Sequence, residues 1–330
     1  MISKRSGSNM HQKLSTYLKN KYGEKIYRLS LSSGCTCPNR DGSILMPDGT
    51  PLTGGCTFCS EGGSGDFAAQ VTAGSIDQQI QDAKELISKK TDARHLIAYF
   101  QSFSNTYGDI SRLKELYTKV INREDIVILS LGTRPDCIDD SVLAMLKELN
   151  QIKPVWIELG LQTINEESAR RFHRGYELKV FEKAYKALKD AGITVVVHVI
   201  LGLPYETKED MLKTVKYLAA LDPALDGIKL QNLQILKGTA MYQDYLRWKE
   251  KASSEQSIGI KGESTEEFYF MDMEEYTDLV AECIALLPET TVIHRMTGDG
   301  PRKLLVEPLW TLDKKRVLNT LTRKCRDLLE

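Results

Sequence analysis

The 330-residue chain is 42% hydrophobic and 27% charged with a net charge of −1, which excludes a low-complexity or disordered polymer and provides for a large core in one big domain or two. The basic N-terminal stretch MISKRSGSNMHQKLSTYLKNKYGEK has no apolar segment of the secretory kind, and no run approaches the roughly 20 apolar residues that span a bilayer. The chain is therefore expected to be cytoplasmic with no membrane partner, and its odd count of seven cysteines argues against a disulfide framework.

Residues 1–24 form a basic segment. Lys4, Arg5, Lys13, Lys19 and Lys21 precede the first strand and Lys25 and Arg28 lie within it, against Glu24 alone. The first strand is KIYRLSL, 25–31. It leads into GCTCPNRDGSILMPDGTPLTGGCTFC, 34–59, which holds Cys35, Cys37, Cys56 and Cys59 among glycines and turn residues. C-x-x-C at 56–59 lets one turn aim two sulfurs at one metal. Four thiolates fit a closed tetrahedral zinc site, and three fit an iron–sulfur cluster with one open iron. The spacing alone does not choose between them.

Beyond the loop the pattern alternates. A helix is predicted over 75–90, with Ile76, Ile80, Ala83 and Ile87 on one face. Strands follow at 94–100, 125–131, 154–159, 193–200 and 226–233, mostly apolar without clean alternation, as parallel strands buried on both faces read. Helical patterns at 139–150, 181–192 and 207–221 separate them, the second closing on Gly192 and the third opening with Thr207 three residues before Asp210, a weak capping box. Six strand–helix units in order predict an α/β fold, a partial (β/α)6-type barrel over 25–240, with a doubly wound sheet as the other possibility. Residues 241–330 form a C-terminal α/β extension: a polar surface loop at 250–266, a helix at 273–288, a short strand at 290–296 and a terminal amphipathic helix at 314–330.

The strand ends carry polar and glycine residues, where barrels bind ligands. They supply Gln101, Ser104 and Asn105 after the second strand, Thr133, Arg134 and Asp136 after the third, Glu158, Gly160 and Gln162 after the fourth, and Gly202, Pro204 and Glu206 after the fifth. The loop VIHRMTGDGP adds His294, Arg295 and Asp299, either on the substrate side or as a structural His294–Asp299 pair. His198, inside a strand, reads as a core histidine.

Taken together, CPNRDG, GGCTFC, YFQSFSNTY, GTRPD, ELGLQT, ILGLPYET, RFHRGY and HRMTGDGP resemble the radical S-adenosylmethionine (SAM) enzymes. More narrowly they resemble the YhcC/YtqA-type group, close to the Elongator catalytic subunit and the oxygen-independent coproporphyrinogen oxidases. The resemblance covers roughly residues 10–318 and departs from the common C-x3-C-x2-C spacing, with 18 residues between Cys37 and Cys56. It implies a [4Fe–4S] cluster on Cys37, Cys56 and Cys59, with Cys35 left over. It also implies SAM as cofactor, cleaved reductively to a 5′-deoxyadenosyl radical, and reduced flavodoxin or ferredoxin as electron donor. By the same resemblance Phe58 packs near the adenine. Gln101 and Asn105 contact the methionine end, Arg134 or Arg174 pairs with the SAM carboxylate, Glu158 and Gln162 bond the ribose, and the backbone around Ile200–Leu203 carries the adenine. The implied substrate is tRNA, at a wobble-uridine side chain of the carboxymethylaminomethyl type. The alternatives are a small, porphyrinogen-like molecule or a structural zinc protein. The two basic chain ends are expected to meet beside the barrel mouth and hold phosphates.

Overall fold

The computed structural model describes residues 11–46, 48–63, 75–88, 93–258 and 267–329. Seven strands form one parallel sheet in chain order: β1 (Tyr27–Leu31), β2 (Leu96–Phe100), β3 (Ile126–Thr133), β4 (Val155–Gln162), β5 (Thr194–Leu201), β6 (Gly227–Asn232) and β7 (Val292–Arg295). All six predicted strands are present. The seventh comes from the predicted strand at 290–296, which pairs with β6.

Alternation along each strand decides what each face touches. Leu96, Ala98 and Phe100 of β2 join Leu129, Leu131, Ile157, Leu159, Val195 and Val197 on the outer face. Helices α2 (Ile76–Ser88), α3 (Ile110–Ile121), α4 (Asp140–Ile152), α6 (Leu178–Asp190) and α7 (Lys208–Ala219) cover that face. Between α4 and α6 lies the short α5 (Glu166–Arg171). Ile97, Tyr99, Ile128 and Trp156 turn the other way, onto the concave face of a half-barrel. Helix α1 (Leu14–Tyr22) closes that face at the N-terminal end of the strands, where Leu18 packs in and the Tyr17 ring lies 6.3 Å from Trp156. The opposite end stays open.

Side chains at the helix starts set the boundaries. Asp109 and Asp139 cap α3 and α4 through the backbone N–H groups of Arg112 and Val142. Thr207 and Asp210 form the complete capping box expected at α7, and Asp272 and Glu275 form another at α9 (Met273–Leu286).

The predicted surface loop at 250–266 is corrected. Helix α8 (Ala240–Ile258) runs through its first part, because Lys, Glu, Ala and Gln are good helix formers and the first glycine comes at 259. Residues 259–266 lie outside the described residues. The basic ends do meet, through Lys13 Nζ donating to Thr322 in α10 (Lys314–Leu329). They meet at the α1 end of the barrel, however, because the apolar face of α1 is buried there. Only the start of α10 reaches the open end, where Lys314 pairs with Asp299.

Trp156, 1% exposed between α1 and the sheet, is expected to cost about 3–5 kcal/mol when replaced by Ala. Leu45→Ala, at a side chain 63% exposed, is expected to change stability by less than about 0.5 kcal/mol. Denaturant midpoints check both.

Candidate cofactor and active site

The cysteine loop folds over the open end of the barrel. Pro38–Arg40 makes a turn closed by Arg40 N–H to the Cys37 carbonyl, 2.9 Å. Gly54 and Gly55 follow the hairpin of Asp41–Leu45 with Pro51–Thr53, both with positive φ (82° and 85°), a conformation glycine adopts freely and one that delivers the chain into C-x-x-C. Asn39, 1% exposed, clamps the two halves: its amide donates to Cys56 Sγ at 3.3 Å and to the His173 carbonyl at 3.1 Å. The loop is pinned further by Thr57 N–H to the Phe172 carbonyl and by the Phe58 ring, 5.3 Å from Phe172.

Cys37, Cys56 and Cys59 line one cavity. Cys35 does not; it is buried in the outer core, where Arg112 donates to its sulfur at 3.4 Å. Among the described residues no three His, Cys, Asp or Glu side chains close on a single metal ion. The hydrogen bond with Cys59 outweighs burial at Cys56 and, helped by Arg134 and Asn39, brings its thiol down to about 7. Burial raises Cys37, against a hydrogen bond with Ser104 at 3.3 Å.

Arg134 lies beside these cysteines and is fixed by a two-point bond to Asp136, 2.9 and 2.6 Å. The Tyr176 ring lies between the guanidiniums of Arg134 and Arg174, 5.1 and 4.7 Å from its centroid, and its hydroxyl bonds the Gly160 carbonyl. The motif RFHRGY is thus the wall that holds the cysteine loop to β4.

The floor is a polar layer inside the barrel. Glu158, with no side-chain exposure, accepts from Ser130 at 3.1 Å, His198 at 2.9 Å and Lys229, with Arg28 at 3.6 Å. Burial favours the neutral acid, but Lys229, Arg28 and His198 outweigh it and hold the carboxyl well below its usual range. Burial and Lys229 push His198 down to about 4 against the Glu158 bond. His294 is held well below 6.5 by burial and by Arg28. His198 is therefore a neutral floor residue facing the cavity, where a purely core position was expected.

The expected site residues divide. Phe58, Gln101, Arg134, Glu158, Gln162, Arg174, Ile200 and Arg295 line the cavity with the three cysteines. The others, and the partners of Arg174 and Glu158, are placed as follows. Asn105 is fully buried and spends its amide on the carbonyls of Phe100, Ser102 and Gly132, tying β2 to β3 away from the cavity. Arg174 donates to the carbonyls of Tyr176, Leu161 and Thr163 and to Glu166, whereas Arg134 and Arg40 are the guanidiniums that act on the cysteines. Glu158 lines the cavity and is already bonded by Ser130, His198 and Lys229. Leu203 faces a neighbouring groove with Phe172 and Met241. His294 packs under the floor against Gly227, where a Cβ would lie 2.8 Å from its Nε2, and bonds Arg28 at 3.3 Å. It does not pair with Asp299, which lies at the rim beside Gly298 and Gly300. Sequence reasoning missed Asn39, Tyr99, Tyr176 and Lys229. A lysine inside the apolar strand DGIKLQNL was the readable sign of the last.

Three cavity cysteines held by a braced loop at the open end of a parallel half-barrel define a class. The model of the Radical SAM superfamily matches residues 53–218, and that of the Radical_SAM C-terminal domain matches residues 264–327. The chain is 36% identical over 311 residues to YtqA of Bacillus subtilis, covering 94% of this chain and 88% of that one. It is 33% identical over 294 residues to YhcC of Escherichia coli, covering 89% and 85%. The solved structure of Elp3 from the archaeon Methanocaldococcus infernus shares the fold at TM-score 0.60 and 19% identity, over 75% of this chain and 58% of that one. The chain belongs to the radical SAM superfamily. Within it, the chain falls in the YhcC/YtqA-type group.

Members of this superfamily carry a [4Fe–4S] cluster and SAM, and the donor set fits both. Three cysteines face one cavity, Arg134 is fixed beside them, and Gln162 Oε1 lines the same space buried without a hydrogen-bond partner. No helix among the described residues is long and apolar enough to cross a membrane.

Two outcomes are expected. Anaerobically isolated protein holds about four irons per chain, lost in Cys37→Ala, Cys56→Ala and Cys59→Ala and retained in Cys35→Ala; equal loss in the last would place Cys35 among the ligands. His198 is about 4 folded and about 6.5 unfolded. The unfolded chain therefore binds the extra proton between these values, and the contribution of His198 is complete above about pH 6.5 and lost as pH falls towards 4. Denaturation at pH 6.5 to 5 should show a slope smaller in His198→Gln by up to about 1.4 kcal/mol per pH unit.

Proposed function

We propose that this radical SAM enzyme acts on tRNA, taking a hydrogen atom from a wobble-uridine side chain of the carboxymethylaminomethyl type. The observation that carries the reading is the shape of the site beyond the cofactor cavity. A second space opens from it, sharing Phe58, Gln101, Ile200, Gln231 and Arg295 and continuing to Asn232 and Gln234. Carboxamides place a donor and an acceptor side by side, which suits the imide edge of a uracil splayed out of a loop. The Gln231 side chain makes no hydrogen bond among the described residues, and Gln234 keeps its carbonyl beside Gly300, where a Cβ would lie 2.4 Å away, while its amide donates to Thr311; Asn232 is spent on Leu233, Thr297 and Gly298 and holds the wall.

When bound, the cluster supplies the electron that splits SAM into methionine and a 5′-deoxyadenosyl radical. The chain's own residues do the rest. Cys37, Cys56 and Cys59 ligate the iron, and Arg134, fixed by Asp136, faces the SAM carboxylate. Gln101 takes the methionine end and Gln162 the ribose. Phe58 and Ile200 would flank an adenine in this cavity, and the buried floor would keep water out from below. Reduced flavodoxin or ferredoxin is the proposed electron donor and the cytoplasm the proposed location.

A small anionic substrate is the second reading. It is favoured by the position of α1, whose N-cap Lys13 and whose Lys19 and Lys21 lie at the far end of the barrel from the cysteine loop.

Mass spectrometry of tRNA nucleosides from cells lacking the gene is expected to show a changed wobble-uridine profile, restored by wild type and not by Cys59→Ala. An unchanged profile contradicts the tRNA reading. Neutralising Lys314, Lys315 and Arg316 together is expected to lower the slope of log affinity for tRNA against log salt by about two to three.

A further inference from the structure

Counting charge on the floor shows an imbalance. Arg28 on β1, Lys229 on β6 and Arg295 on β7 converge with one carboxylate, Glu158 on β4. The two histidines nearby, His198 and His294, are held neutral. Two guanidiniums face one carboxylate, so the layer is positive by at least one unit whether or not Lys229 keeps its proton. Lys229 is already bound to Glu158 and to the Tyr99 hydroxyl at 3.0 Å. Arg28 is bound to Glu158 and His294 but leaves a buried Nε–H with no partner. Arg295 is different. It lines both the cofactor cavity and the amide-lined space, and it has no hydrogen-bond or ion-pair partner among the described residues.

A partly buried guanidinium without a counter-charge, beside a positive layer, is costly unless something anionic arrives. The SAM carboxylate is not that group. The guanidinium beside the cysteines is Arg134, which perturbs Cys56 and Cys37, whereas Arg295 acts on Tyr99, His198 and Lys229 across the floor. An excess of at least one unit leaves room for an arriving negative charge.

We infer that Arg295 receives a carboxylate carried on the reacting end of the substrate, with Lys229 and Glu158 positioning the floor beneath it. This rests on the tRNA reading above, since a carboxymethylaminomethyl uridine ends in such a group and its base would lie in the amide-lined space.

The test uses the reduced, cluster-loaded enzyme with SAM and two synthetic anticodon stem–loops, one bearing the acid at the wobble uridine and one bearing its primary amide. Wild type is expected to prefer the acid by about 10- to 100-fold in kcat/KM, the range of a charge-assisted hydrogen bond. Arg295→Gln is expected to lose most of that preference and Arg295→Lys to keep part of it, with iron content and SAM affinity at wild-type level in both. Equal turnover of acid and amide by wild type, or an undiminished preference in Arg295→Gln, overturns the assignment. If wild type converts neither stem–loop, the tRNA reading fails and a second readout decides the anion site. Protection of Arg295 from phenylglyoxal by sarcosine, but not by its amide, sustains the site, and no protection overturns it.

Discussion

Glu158 is a carboxylate with no exposed atom, placed where β4 crosses the middle of the half-barrel. An isolated charge there would cost many kcal/mol. It is held only because Ser130, His198, Lys229 and Arg28 reach it from four other strands. Breaking such a group by removing one partner typically costs about 3–5 kcal/mol. The layer therefore ties β1, β3, β5 and β6 to β4, and it divides the concave face in two. Below it, Trp156, Ile97 and Ile128 pack against α1 as an ordinary apolar core. Above it, the space stays polar and open to the cysteine loop. A hydrophobic filling would close the barrel into a core like any other, so the polar layer is what leaves a site.

The loop above is built from a different kind of constraint. Its cysteines stand on turns, and turns need external bracing. Asn39 and the RFHRGY wall provide it, the first by bonding Cys56 and His173, the second through Tyr176 bonded to Gly160 and Arg174 spent on carbonyls around β4. Several residues that look like ligands in the sequence are instead the scaffold that aims the ligands. Asn105 and Arg174 belong to that group: both amide hydrogens of Asn105 and four of the five N–H donors of Arg174 are bonded within the protein.

What was legible in the chain follows from range. The sheet strands and α7 with its capping box depend on local period and local hydrogen bonds, and they appear within one to three residues of where the pattern puts them. The polar layer depends on residues up to 201 positions apart, from Arg28 to Lys229, and no local pattern carries that. Glu158 read as a ligand contact because a carboxylate at a strand end usually faces the ligand; it does line the cavity, and only its four partners show that it also ties the strands together. α8 was misread for the opposite reason: polarity was taken for a loop where helix propensity decided. The meeting point of the basic ends was misplaced because charge says nothing about which end of a barrel an amphipathic helix closes.

The central claim is that Cys37, Cys56 and Cys59 hold a cluster with one iron left for SAM. Electron paramagnetic resonance of the reduced protein, recorded with and without SAM, tests it most directly. The account predicts a [4Fe–4S] signal whose g values shift when SAM is added. A signal that SAM leaves unchanged, or a reduced protein with no cluster signal at all, would contradict it.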